Sequence, residues 1–143
     1  MKKIVSTLLI AGSLFASYDA EGGLDGYKIY QNNCKACHIE MISKAETLKI
    51  FKTLKAPPMV EVSKQLKTNI IMGEAGDDDV HRFTVISFIK EYLKKPALDY
   101  SMCNAGAIDT FGIMPSQAHL SDAQRQAVAE WIYDRYEDES GDF

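Results

Sequence analysis

The sequence predicts an all-α protein. Apolar residues recur at helical spacing in several segments, and two of the predicted helix starts carry a capping box. No run alternates apolar and polar residues as a half-buried strand would. Of the 143 residues, 46% are hydrophobic and 25% are charged, which is ordinary for a globular domain.

The start of the chain is typical of a secretory signal peptide. Lys2 and Lys3 precede an uncharged, mostly apolar run that ends at Ala16. A membrane-spanning helix needs about 20 apolar residues, so an uncleaved anchor is the weaker alternative, and no later segment is long enough. We therefore expect cleavage near Ala16 and export to a bacterial periplasm. The predicted division is a signal peptide over 1–16, one domain over 17–137 and an acidic flexible tail over 138–143.

The charge of the mature chain limits its partners. Without the leader, 14 basic residues remain against 20 acidic ones, a formal charge of −6. An acidic protein is a poor candidate for binding nucleic acid. We expect a monomer that meets partner proteins, for which a basic docking face would be complementary.

Helical patterns define five segments in chain order. They cover 22–33, 44–55, 60–72, 77–95 and 121–137. The first is expected to end at Cys34. The second begins with the capping box Ser43-x-x-Glu46 and ends before Pro57 and Pro58. Its apolar positions are Leu48, Phe51 and Leu54.

The remaining helices have similar signals. The third places Val62, Leu66 and Ile70 on one face, and Gly73 is expected to close it. In the fourth, acidic residues 77–79 lie at the N-terminus, where the helix dipole is positive, and lysines lie at the C-terminus, before Pro96. Its predicted apolar stripe contains Val80, Phe83, Phe88, Tyr92 and Leu93. The last begins with the capping box Ser121-x-x-Gln124 and places Val128, Trp131, Ile132 and Arg135 at helical spacing.

A cluster of chemically active residues follows the first helix, in the pattern Cys34-x-x-Cys37-His38. Chance gives this pattern on the order of once in a thousand sequences of this composition. It is typical of covalent haem attachment: the two thiols add to the vinyl groups, and the histidine becomes the proximal iron ligand. A redox disulfide or a zinc site, the latter with Cys103 and His119, is the alternative. No βαβ pattern supports the first, and the spacing of Cys103 and His119 fits no common zinc motif.

Four further residues extend the pattern into a family resemblance. Gly26 and Tyr30 precede the first cysteine by eight and four positions, and Val128 and Trp131 lie on the last helix. With the pentapeptide, they make the chain resemble the class I, mitochondrial-type cytochrome c domains of bacteria. The resemblance implies a monohaem cytochrome c fold with crossing N- and C-terminal helices, a haem in a central crevice and an expanded middle segment.

The resemblance also implies a second axial ligand. The family uses a methionine on a loop before the last helix, and "FGIMPS" places Met114 there, after Gly112 and before Pro115. Met59 is the main rival for this role. Weaker candidates are Met102, Met72, His81 and His119.

Further expectations concern the surroundings of the haem. In the family a backbone carbonyl of a proline-containing loop accepts the proximal histidine's Nδ1 proton, and Pro57 and Pro58 are the candidates here. Segment 59–113 is long for the family and is expected to contain two helices that wrap the haem edge or form a docking surface. Cys103 is either a buried thiol or a partner in an intermolecular disulfide.

These observations predict a periplasmic electron carrier, not an enzyme. It would hold one covalent haem c through Cys34 and Cys37, with His38 and Met114 on the iron. The alternatives are a gas-binding or sensing haem domain with a labile sixth ligand and a haem subunit of a larger respiratory complex. A dihaem peroxidase is disfavoured because the chain has one C-x-x-C-H motif.

Overall fold

The computed structural model describes residues 23–71 and 77–136. Over these residues the chain forms six α-helices, two short 3₁₀ turns and no strand, which confirms the predicted all-α class. The helices are α1 (Gly26–Asn33), α2 (Lys44–Ile50), α3 (Met59–Asn69), α4 (Asp78–Lys94), α5 (Ala105–Phe111) and α6 (Asp122–Asp134). The 3₁₀ turns span Phe51–Thr53 and Leu98–Tyr100.

The C-terminal helix is the centre of the packing. α6 packs along α1 and α4 and touches α3. Val128 and Ala129 on α6 are fully buried, and Tyr30 of α1 is also fully buried. The rings of Tyr30 and Trp131 stack with centroids 4.5 Å apart. Aromatic and aliphatic contact along α6 therefore holds the N- and C-terminal parts of the domain together.

Helix starts follow the local chemistry of the sequence. Both predicted capping boxes form, at α2 and at α6. Asp77 caps α4, and its carboxylate accepts from Asp79 N at 3.0 Å. Asp25 caps α1, so that helix begins at Gly26 and not at residue 22 as predicted. Each cap satisfies a backbone N–H that the first helical turn leaves without a partner.

Two apolar faces differ from the prediction. α2 is shorter than expected and buries no residue; Leu48 is 69% exposed. In α4, Val85 and Ile89 are buried, whereas Val80 and Phe83 of the predicted stripe are exposed. Neighbouring helices decide which side of a helix is covered, and a broad apolar pattern does not identify that side.

The described residues of segment 59–113 form three α-helices, not the two that were expected. Asn104 caps the additional α5 by accepting from Ala107 N at 2.8 Å. The third predicted helix ends at Asn69; Gly73, its expected terminator, lies outside the described residues, as do the leader, Met72 and the acidic tail. No helix in the described part of the chain has the length and hydropathy needed to cross a membrane.

Gly26 allows the close approach of α1 and α6. A Cβ placed on Gly26 would overlap the carbonyl oxygen of Ala127 and lie 2.6 Å from Trp131 Cβ. We expect Gly26→Ala to lower the free energy of unfolding by about 1–3 kcal/mol, because two backbones would have to separate. Denaturant unfolding measures this loss. Gly106→Ala is the control, since its Cβ would meet only Asn104 Oδ1 at 3.5 Å; equal stability of both variants would contradict a tight crossing.

Candidate functional site

A crevice of about 210 Å³ lies between the end of α1 and helices α3 and α4. Side chains from the loops before α3, before α5 and after α5 complete its walls. The predicted site residues Cys34, Cys37, His38 and Met114 all line it. The fold thus brings together four side chains that are up to 80 positions apart in the chain.

Both cysteines of the pentapeptide lie in a turn that continues α1. Cys34 N donates to Tyr30 O at 2.8 Å, and the amides of Cys37 and His38 donate to Cys34 O at 3.0 and 2.9 Å. Cys34 is buried, Cys37 is exposed, and both are free thiols. Burial, with a smaller effect of Cys37, raises the pKa of Cys34 to about 11, so its thiol is neutral at pH 7.

His38 is oriented by a backbone carbonyl. Its Nδ1 lies 2.7 Å from Pro57 O, and because a carbonyl only accepts, Nδ1 carries the proton. Burial lowers the pKa of His38 and outweighs the opposing effect of this bond, which favours the neutral ring. Nε2 then keeps its lone pair and has no hydrogen-bond partner among the described residues. Of the two candidate prolines, the acceptor is Pro57.

Three successive carbonyls, beginning with that of His38, accept hydrogen bonds from α1, from α3 and from the segment that follows α6. Tyr30 Oη donates to His38 O at 2.7 Å, and Met59 N donates to Ile39 O at 2.7 Å. Glu40 O accepts from Val60 N and from Tyr136 Oη, each at 3.1 Å. Burial raises the pKa of Tyr30 to about 12, so its hydroxyl remains a donor. The backbone that carries His38 is thereby tied to α1, α3 and the end of α6.

Met114 lies on a loop anchored to the end of α4. Gly112 has φ +68°, a conformation that glycine adopts without steric cost, and it ends α5. Ser116 Oγ donates to Lys94 O and Gln117 N donates to Leu93 O, both at 2.7 Å. Between these points Met114 is partly buried against the core and lines the crevice.

The structure separates the candidates that compete with Met114. Met59 is buried, and its backbone amide donates to Ile39 O, the carbonyl next to that of His38. His81 uses Nδ1 toward Tyr133 Oη and Nε2 toward Lys67 O, each at 3.2 Å. His119 is exposed, and its Nε2 contacts Asn33 Oδ1 at 3.2 Å. Met59 and Met102 both line the crevice, so both remain rivals of Met114, whereas the two histidines do not line it.

Cys103 is exposed at the crevice wall, so the expectation of a buried thiol is wrong. It lies in a loop between the second 3₁₀ turn and α5, where no helix covers it. No group of three or more Cys, His, Asp or Glu side chains in the described ranges is arranged to hold a metal ion. The zinc alternative therefore has no supporting ligand cluster there.

Two aromatic side chains on the crevice wall, Phe88 and Phe111, were not identified as site residues from the sequence. Phe88 and Tyr92 stack with centroids 5.6 Å apart, and both line the crevice with Phe111. The sequence offered one signal: Phe88 and Tyr92 are four positions apart and so share one face of α4. Residues that pack in an ordinary helix core have the same spacing. The resulting crevice is apolar, and it is lined by the two thiols and the imidazole of the pentapeptide and by the separate thiol of Cys103. This set fits a flat apolar group that carries two alkene substituents and a metal ion.

Comparison with known proteins shows a family relationship. No protein-family model and no solved structure matches the chain. An uncharacterized protein of Aquifex aeolicus (strain VF5) is 32% identical over 148 aligned positions, which cover 96% of this chain and 90% of the relative. Identity at this level over nearly the whole of both proteins shows common descent. The chain belongs to the same protein family as this Aquifex aeolicus protein.

Proposed function

We propose that the protein is a periplasmic electron carrier that holds one haem c covalently through Cys34 and Cys37. The observation that carries this proposal is the convergence of both thiols and the free Nε2 of His38 on one apolar crevice. When bound, haem supplies a one-electron Fe(II)/Fe(III) couple. The cytochrome c type of fold is part of this proposal, and it is supported by the packing of α1 and α4 on α6.

The protein's own residues would have distinct roles. The two thiols would become thioethers, which fix the group in one orientation. His38 would donate its Nε2 lone pair to iron, while Pro57 holds the ring and increases its basicity through the 2.7 Å bond to Nδ1. Met114 would supply a neutral thioether ligand, which favours the reduced state and raises the potential.

The aromatic wall and the tied backbone support an electron-transfer role. Phe88, Tyr92 and Phe111 make the crevice apolar, which keeps water from the metal. The bonds to His38 O, Ile39 O and Glu40 O restrain the backbone next to the proximal ligand. A site whose ligands stay in place changes little between oxidation states, and two side-chain ligands leave no position for a substrate.

Expression with a haem c maturation system tests the proposal. We expect the exported protein to show the added mass of one haem after denaturation, and a reversible change in its visible spectrum on reduction. A protein without that mass would contradict the proposal. A reduced protein that binds carbon monoxide as fast as it is mixed would instead favour the gas-binding alternative, and a stable co-purifying complex would favour a respiratory subunit.

A further inference from the structure

A basic arm lies beside the crevice. Residues 44–55, which contain α2 and the first 3₁₀ turn, are defined here as the basic arm. They expose four lysines, Lys44, Lys49, Lys52 and Lys55. None of these lysines forms an ion pair with another residue in 23–71 or 77–136. The single acidic residue of the arm, Glu46, is engaged by Ser43 Oγ at 2.8 Å.

The basic arm also presents apolar side chains. Neither α2 nor the 3₁₀ turn buries a residue. Leu48 is 69% exposed and Phe51 is 39% exposed. Lys44 and Leu48 are four positions apart and therefore share one face of α2. Exposed apolar area among lysines without an ion-pair partner gives this surface both kinds of group that a contact surface uses.

The basic arm borders the crevice directly. The rings of Phe51 and Phe111 meet edge to face with centroids 5.5 Å apart. Phe111 and Lys55 both line the crevice. A protein that covers the arm would thus lie next to the group held by Cys34 and Cys37.

We propose that the basic arm is the docking surface for an acidic redox-partner protein. The proposal rests on the haem function proposed above and adds the chemistry of its partner. The proposed partner is acidic, whereas the net charge of the chain predicted a partner with a basic face. The two differ because steering depends on the electrostatic potential near the contact and not on the net charge of the whole protein. An anionic membrane is a poorer match, since the arm exposes only two large apolar side chains and a membrane-lying helix needs a continuous apolar face.

Oxidation of the reduced holoprotein by small ions of opposite charge tests the proposal. One electron passes to hexacyanoferrate(III), which becomes hexacyanoferrate(II), or to tris(phenanthroline)cobalt(III), which becomes the cobalt(II) complex. We expect the rate with the anionic oxidant to fall by about threefold or more as salt rises from low to physiological strength, and the rate with the cationic one to rise. Poly-L-glutamate should slow the anionic oxidant at low salt by occupying the arm.

Matched variants locate the effect. Lys49→Gln/Lys52→Gln should abolish most of the salt dependence and the poly-L-glutamate inhibition, whereas Lys28→Gln/Lys64→Gln removes the same charge elsewhere and should retain both. Equal behaviour of the two variants, or a faster reaction with the cation at low salt, would overturn the proposal and leave the haem function intact. Arm-dependent binding to phosphatidylglycerol vesicles without inhibition by poly-L-glutamate would reassign the arm to a lipid surface. Absence of any haem signal would remove both proposals.

Discussion

Replacement of Cys34 and Cys37 by serine is expected to yield an exported protein with no covalently attached haem. Both thiols line the crevice, and a serine hydroxyl does not add to a vinyl group under the conditions in which a thiol does. The intact mass of the denatured variant should lack the whole haem increment. We also expect a large loss of stability, because an apolar crevice of about 210 Å³ would lose the group that fills it.

The third cysteine provides the control for this experiment. Cys103 lines the same crevice and is exposed, but it lies outside the pentapeptide. Cys103→Ser should therefore keep the full haem mass and the full visible spectrum. Single replacement of Cys34 or Cys37 should leave one thioether. A double Cys34/Cys37 variant that still carries haem after denaturation would refute the attachment assignment.

Replacement of Met114 by leucine is expected to change the iron coordination without removing the haem. Leucine keeps the side-chain volume and removes the sulfur, so packing around residue 114 changes little. The near-infrared band of an iron–thioether bond should disappear from the oxidised protein. The midpoint potential should fall by a sizeable part of the roughly 0.8 V range that axial ligands span. Optical spectroscopy and redox titration measure both effects.

Two further methionines in the crevice serve as matched controls. Met59 is the first residue of α3 and its amide donates to Ile39 O, whereas the carbonyl oxygen of Met102 accepts from Asn69 Nδ2 at 2.9 Å. Met59→Leu and Met102→Leu should both keep the near-infrared band. Loss of the band in Met102→Leu with its retention in Met114→Leu would transfer the ligand role to Met102.

Helix boundaries were predictable where a cap is built from neighbouring residues. Ser43 with Glu46 and Ser121 with Gln124 form the expected reciprocal bonds, and Asp77 caps α4. These bonds span two or three residues, so the sequence contains all of their chemistry. Asn104 gives a similar local signal for α5, although no helix was predicted there.

Burial was less predictable than helix position. Leu48 and Phe83 have helical apolar spacing, yet both are largely exposed. α4 packs along α6 and buries Val85 and Ile89, whereas α2 buries no residue. The face that is buried depends on partners distant in sequence, which a local pattern does not specify.

The amino-acid sequence by itself determined the helical class, the caps of α2, α4 and α6, and the pentapeptide with its candidate chemistry. These depend on residues within a few positions of one another. Only the tertiary structure decided that Pro57 orients His38, that α1 approaches α6 closely at Gly26, and that an unpaired basic arm borders the crevice of an acidic chain. Each of these is a contact between segments far apart in the chain, whose geometry exists only after the helices have packed.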